Sequence, residues 1–212
     1  MQLASLLPAV FGLVGVVVGA IMTFVRDMWF KSRQETRERQ YLAIRVTAQL
    51  ERFSAGCVAV VADDGLYHGQ PDENGVHQAQ AQEPTFEPEA LQVDWKSMPP
   101  DLMYEVLSFP SLIERAKSKI EAEGDHASPP EYEEWFQERQ YQYAKLGLQA
   151  AEISAKLRAR IGLPERPAPD ARWDPLQFMT QRRAEIDELR AKWASEPLPF
   201  GLGSPSAAPE SN

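Results

Sequence analysis

The stretch LASLLPAVFGLVGVVVGAIMTFV, residues 3 to 25, decides the architecture, because it carries no charged side chain and offers no polar face. A helix at the surface of a globular protein keeps one side for water, so a helix greasy all round needs lipid or a deep core around it. At about 1.5 Å per residue the run is long enough for a hydrocarbon layer of about 30 Å. Its thirteen strongly apolar residues, Leu3, Leu6, Leu7, Val10, Phe11, Leu13, Val14, Val16, Val17, Val18, Ile21, Phe24 and Val25, favour insertion. Before the cost of Gly, Ser and Pro8 they are worth about −6 kcal/mol. A transmembrane helix over residues 1–27 is therefore expected.

A cleaved signal peptide would need a basic start, an apolar core of about 7 to 15 residues and a small-residue cleavage site. No cation precedes this run, it is longer than that core, and it ends on Met22, Thr23, Phe24 and Val25. The expected element is an uncleaved anchor. Arg26, Lys31, Arg33, Arg37 and Arg39 crowd behind it, so the C-terminal side is expected to be cytoplasmic. Arg26, Trp29, Lys31 and Arg33 are the expected lipid contacts, with Trp29 and Phe30 at headgroup level.

The net charge of −9 is unevenly spread over the 212 residues. Lys and Arg against Asp and Glu give +3 for residues 26 to 62, −10 for 63 to 128, zero for 129 to 163 and −2 beyond. The basic block suits an anionic membrane surface. The acidic block repels lipid and nucleic acid alike, so nucleic acid is not an expected partner. A single cysteine, Cys57, forms no intramolecular disulfide, in keeping with a reducing compartment.

Residues 28–62 read as a juxtamembrane helix, with Val46, Leu50, Phe53, Cys57 and Val60 spaced as a heptad seam. That seam wants a partner helix, from this chain or from a second copy. Gly56 and the β-branched run 57–61 leave a strand as the alternative there. From 63 to 97 the periodicity disappears among Gly, Pro and acidic residues, and a mobile acidic loop, linker or binding segment is expected. A helical bundle should occupy 98–195. Two short helices broken at Pro110, the second capped by Ser111 and Glu114 and ended by Gly124, come first. A long helix follows, starting from Ser128 and Pro129 and stopped by Gly162, its buried edge Phe136, Tyr143, Leu146, Ala150, Ile153 and Leu157. A last helix is capped at Asp174, with Leu176, Met179, Ile186, Leu189 and Trp193 inward. The tail 196–212 is expected to be disordered. The fold class is all-α: one transmembrane helix, a long juxtamembrane helix and a small antiparallel bundle.

Candidate chemistry is sparse. His68, His77 and His126 fall in expected loops without a Cys or His at metal spacing, and Asp72, Glu73, Asn74 and Gly75 lack the alternation and closing Glu of a calcium loop. Cys57 on an apolar seam reads as a small buried hydrophobe. The aromatic and acidic group Tyr132, Glu133, Glu134, Trp135, Phe136, Tyr141 and Tyr143 reads as helix packing rather than a recognition surface. No Gly-rich phosphate loop, HExxH or GxSxG occurs, so no enzyme activity, cofactor, metal or small-molecule substrate is expected.

The functional pattern lies in the apolar run. Gly15 and Gly19 form GxxxG, and Gly12 and Thr23 extend the same small face, which lets two helix backbones approach closely. With the seam beyond it, a parallel homodimer or pairing with another membrane protein is expected. The expected function is a non-catalytic, single-pass adaptor or scaffold of a bacterial inner membrane, presenting a cytoplasmic helical domain to a protein partner. The alternative, of a different class, is a phage-like lysis or envelope accessory protein with a periplasmic soluble domain.

Overall fold

The computed structural model describes the backbone of residues 7–164 and 173–195, with side chains from Gly19 onward. Among these residues there are four α-helices and no strand: α1 Leu7–Val61, α2 Pro100–Gly124, α3 Glu133–Ile161 and α4 Pro175–Ser195. The all-helical class and the helical bundle therefore hold. The stretch 57–61 is helix, the last turn of a 55-residue α1.

Three pairings fix the layout. Ser54 Oγ donates to Gly147 O at 2.9 Å while Arg158 Nε meets Glu51 at 2.8 Å, so α1 and α3 run antiparallel. Lys156 reaches Glu105 at 2.9 Å near the start of α2, and at the other end of α2 Trp135 sits against Gly124. Arg182 bonds Gln140 at 2.7 Å, and Arg190 bonds Glu138 further back along α3, so α4 also opposes α3. α3 is thus the central helix, with the other three packed around it. Its Ala, Leu, Gln, Glu and Lys content favours the helix, and Gly162 at φ 67 ends it in the left-handed conformation that costs glycine nothing.

The seam residues Val46, Leu50, Phe53, Cys57 and Val60 are all buried, at 0 or 1% exposure. Cys57 packs at Gly147 of α3, while Phe53 meets Phe109 of α2. Of the two partners left open for this seam, it is the chain's own bundle that buries it. Gly56, which costs the helix about 1 kcal/mol against Ala, has a reason in packing: a Cβ there would meet Pro84 Cβ at 2.6 Å.

Pro84 belongs to residues 63–97, which carry no α-helix, as the composition implies, but do not hang free as a linker. Phe86 and Leu91 lie in the core. Phe86 completes a three-ring cluster with Phe53 and Phe109, its ring centroid 6.3 and 5.5 Å from theirs, edge to face. Burying such rings is worth about 1.5–3 kcal/mol each, enough to order a segment whose local sequence shows no periodicity.

Three further expectations are corrected. Pro110 does not divide α2, because Val106, Phe109, Ile113, Ala116 and Ile120 form one buried stripe across it; that burial outweighs the proline cost of about 3 kcal/mol. α3 starts at Glu133 rather than at Pro129, since Pro130 keeps residue 129 out of the helical region, and Tyr132 precedes the helix at φ 50. Trp193 is 53% exposed on α4, while Met179 and Ile186 are buried. The cap at Asp174 is present, its Oδ1 accepting from the N–H groups of Leu176 and Gln177.

Among the described residues no helix is long and apolar enough to cross a membrane. The run 3–25 falls largely outside the residues whose side chains are described, and Gly12 and Gly15 with it. The tail 196–212 also lies outside the described residues.

Candidate functional site

Two regions gather the functional candidates. The first is the free part of α1. Every residue from 19 to 41 is exposed, and the helix joins the bundle only at Leu42. Over that length Ile21, Met22, Phe24, Val25, Met28, Trp29 and Phe30 stand 57 to 73% exposed. Apolar helix surface left uncovered to this extent makes the stretch a candidate contact surface. A Cβ at Gly19 would meet nothing within 4 Å, and Thr23 Oγ1 donates to Gly19 O at 2.9 Å, so both stay small and self-satisfied on one face. Arg33 lays its guanidinium 3.8 Å over the Trp29 ring, and Arg26 pairs with Asp27 at 3.3 Å. Lys31 is exposed beside them.

The second region is a buried polar group where α1 ends. Asp63 follows α1 directly, and its carboxylate accepts from the N–H of Gly65 at 3.0 Å, Gln80 at 2.9 Å and Ala81 at 2.8 Å. Arg139 Nη1 donates to it at 2.8 Å and Nη2 to Ala81 O at 2.7 Å. Gln140 Nε2 donates to Asp63 O at 2.7 Å. Burial pushes the Asp63 carboxyl up, but the N–H donors of Ala81 and Gly65 and the Arg139 guanidinium prevail and hold it below the usual carboxylate range. Both carboxylate oxygens of Asp63 and both Nη atoms of Arg139 are committed to partners in the chain, which ties residues 63–81 onto α3.

The sequence reading missed Asp63, Arg139 and Gln140 as a group, together with Glu51 and Arg158. The only available signal was a run of polar side chains, Gln137 to Gln140, in the middle of an otherwise periodic helix, where buried polar residues demand partners.

The remaining candidates are scattered. His68 meets Tyr67 edge to face with ring centroids 4.4 Å apart, His77 Nδ1 lies 3.2 Å from Asp64 O, and His126 is exposed beyond α2. Asp72 spends its oxygens on its own turn, accepting from the N–H of Val76 and Asn74 and from Gln78. Among the described residues no group of three or more His, Cys, Asp or Glu could hold a metal ion. Cys57 is enclosed, and burial pushes its thiol far above the ordinary value. Phe136 and Tyr143 are buried and Tyr132, Trp135 and Tyr141 half-buried along α3.

Compared with family models, curated proteins and solved structures, the chain finds no match in any of the three.

Proposed function

We propose that the chain is a non-catalytic, single-pass membrane-anchored adaptor or scaffold whose helical bundle stands off the membrane on the free part of α1. The observation that carries this reading is the exposed apolar surface from Ile21 to Phe30 on a helix continuous with the charge-free run 3–25. Water penalises such a surface, and lipid does not. The cations Arg26, Lys31, Arg33, Arg37 and Arg39 favour a cytoplasmic bundle at a bacterial inner membrane. The bundle itself supplies packed helices and ion pairs rather than a converging set of reactive groups, which suits presentation to a protein partner.

Self-association through Gly12, Gly15, Gly19 and Thr23 is the second half of the proposal. With the seam of α1 buried inside the bundle, the anchor and stalk are the part of α1 left for a second copy. Gly15→Ile with Gly19→Ile in a membrane two-hybrid reporter is expected to abolish the self-association signal; an unchanged signal removes the dimer. Topology is best read from a reporter fused after Asn212, because Cys57 is enclosed in the core and closed to labelling reagents.

A further inference from the structure

At the end of the bundle where α1 enters it, a cleft of about 650 Å³ opens between α1, the turn before α2 and the last turn of α3. Its floor is apolar, with Leu42, Met98 and Leu157, and its rim is cationic, with Arg39, Lys96 and Arg160. No Asp or Glu lines it, although the chain as a whole has a net charge of −9. None of the three cations takes part in a salt bridge among the described residues; in the adjoining hollow, which Arg160 also lines, Glu105 is taken by Lys156 and Asp101 is turned to solvent. Three cations left together in an acidic protein produce a local field that draws an anion, and the floor beneath them rewards a hydrocarbon chain.

We propose that this cleft binds a single-chain amphiphile with an anionic head group, a long-chain fatty acid being the simplest case. Its volume falls within the roughly 300–1,000 Å³ of small-molecule sites, where an apolar lining and a few convergent polar groups set orientation. The rim cations hold the carboxylate by charge-assisted hydrogen bonds, and the chain lies over Pro99, Pro100 and Ile161, the apolar lining that still reaches water above the buried Leu42, Met98 and Leu157. The choice of a single chain rests in part on the anchor reading. Arg39 is fourteen residues beyond Val25, about 21 Å along the helix. The headgroup layer of one leaflet is only about 5–8 Å deep. An amphiphile bound here has left the bilayer, which one acyl chain does far more readily than two.

The test is photolabelling of the full chain in phosphatidylcholine nanodiscs with a palmitic acid that carries a chain diazirine, followed by digestion and quantitative mass spectrometry. Peptides bearing Met98 and Leu157 are expected to be labelled, with free palmitate displacing the probe about tenfold better than methyl palmitate. Arg39→Gln, Lys96→Gln and Arg160→Gln together are expected to lower that label about tenfold while leaving the label on residues 1–25. All three side chains are exposed, and helix content by circular dichroism checks the fold. Unlabelled cleft peptides, equal competition by the methyl ester, or undiminished labelling of the folded triple variant would each overturn the proposal. A labelled cleft with no label on residues 1–25 overturns the anchor reading alone.

Discussion

Arg139 on α3 and Asp63 just beyond α1 form an enclosed ion pair, 2.8 Å apart, with side chains 2 and 3% exposed. The pair is joined by Ala81 from both directions, since its N–H donates to Asp63 and its carbonyl accepts from Arg139. One interaction therefore holds three chain segments together. Removing one member leaves the other buried and uncompensated, which typically costs about 3–5 kcal/mol. Arg139→Ala is expected to lower the urea unfolding free energy by that amount and to raise hydrogen exchange first in residues 63–81.

The same pair sets an acid limit. The folded-state pKa of Asp63 is held below its unfolded value near 3.9. Its stabilising contribution is thus complete above that value and is lost as pH falls through the folded pKa. Asp63→Asn is expected to be less stable than the parent at neutral pH and to show a flatter decline in stability below about pH 4. Parallel decline in the two proteins contradicts this role.

At Gly147 of α3, side chains of both α1 and α4 press close to the backbone. A Cβ there would lie 2.8 Å from Cys57 Cβ and 2.6 Å from Met179 Sδ. Alanine improves helix propensity by about 1 kcal/mol but overfills the site, and overpacking costs about 1–3 kcal/mol. Gly147→Ala is expected to be destabilising in thermal melts. Adding Met179→Ala does not restore the parent, because Cys57 Cβ is fixed by its own helix and Met179 is itself fully buried.

The two halves of α1 respond oppositely. Leu50→Ala, in the seam, is expected to cost about 2–5 kcal/mol of bundle stability without altering membrane association. Trp29→Ala, on the exposed part, is expected to leave the melting curve of the bundle unchanged.

Local rules carried well along this chain where a helix met its partners by period alone. Val46 to Val60, Phe136 to Leu157, the Asp174 cap and the Gly162 stop are all written in spacing and turn chemistry, and the structure has them in place. What escaped depended on distant neighbours. Phe86 is ordered by Phe53 and Phe109, Pro110 is tolerated because the stripe around it is buried, and Asp63 meets a residue 76 positions away. No local pattern marks such pairings. The rim cations Arg39, Lys96 and Arg160 come from three separate segments for the same reason, and the sequence shows them only as unrelated basic residues.

The exposed apolar part of α1 is what makes a membrane necessary to the whole account. Sedimentation of detergent-free lysate, followed by alkaline carbonate extraction of the pellet, tests it most directly. The chain is expected to remain in the pellet through carbonate and to be released only by detergent. A monodisperse monomer recovered in the supernatant would contradict the anchor and the standing of the bundle beside a bilayer.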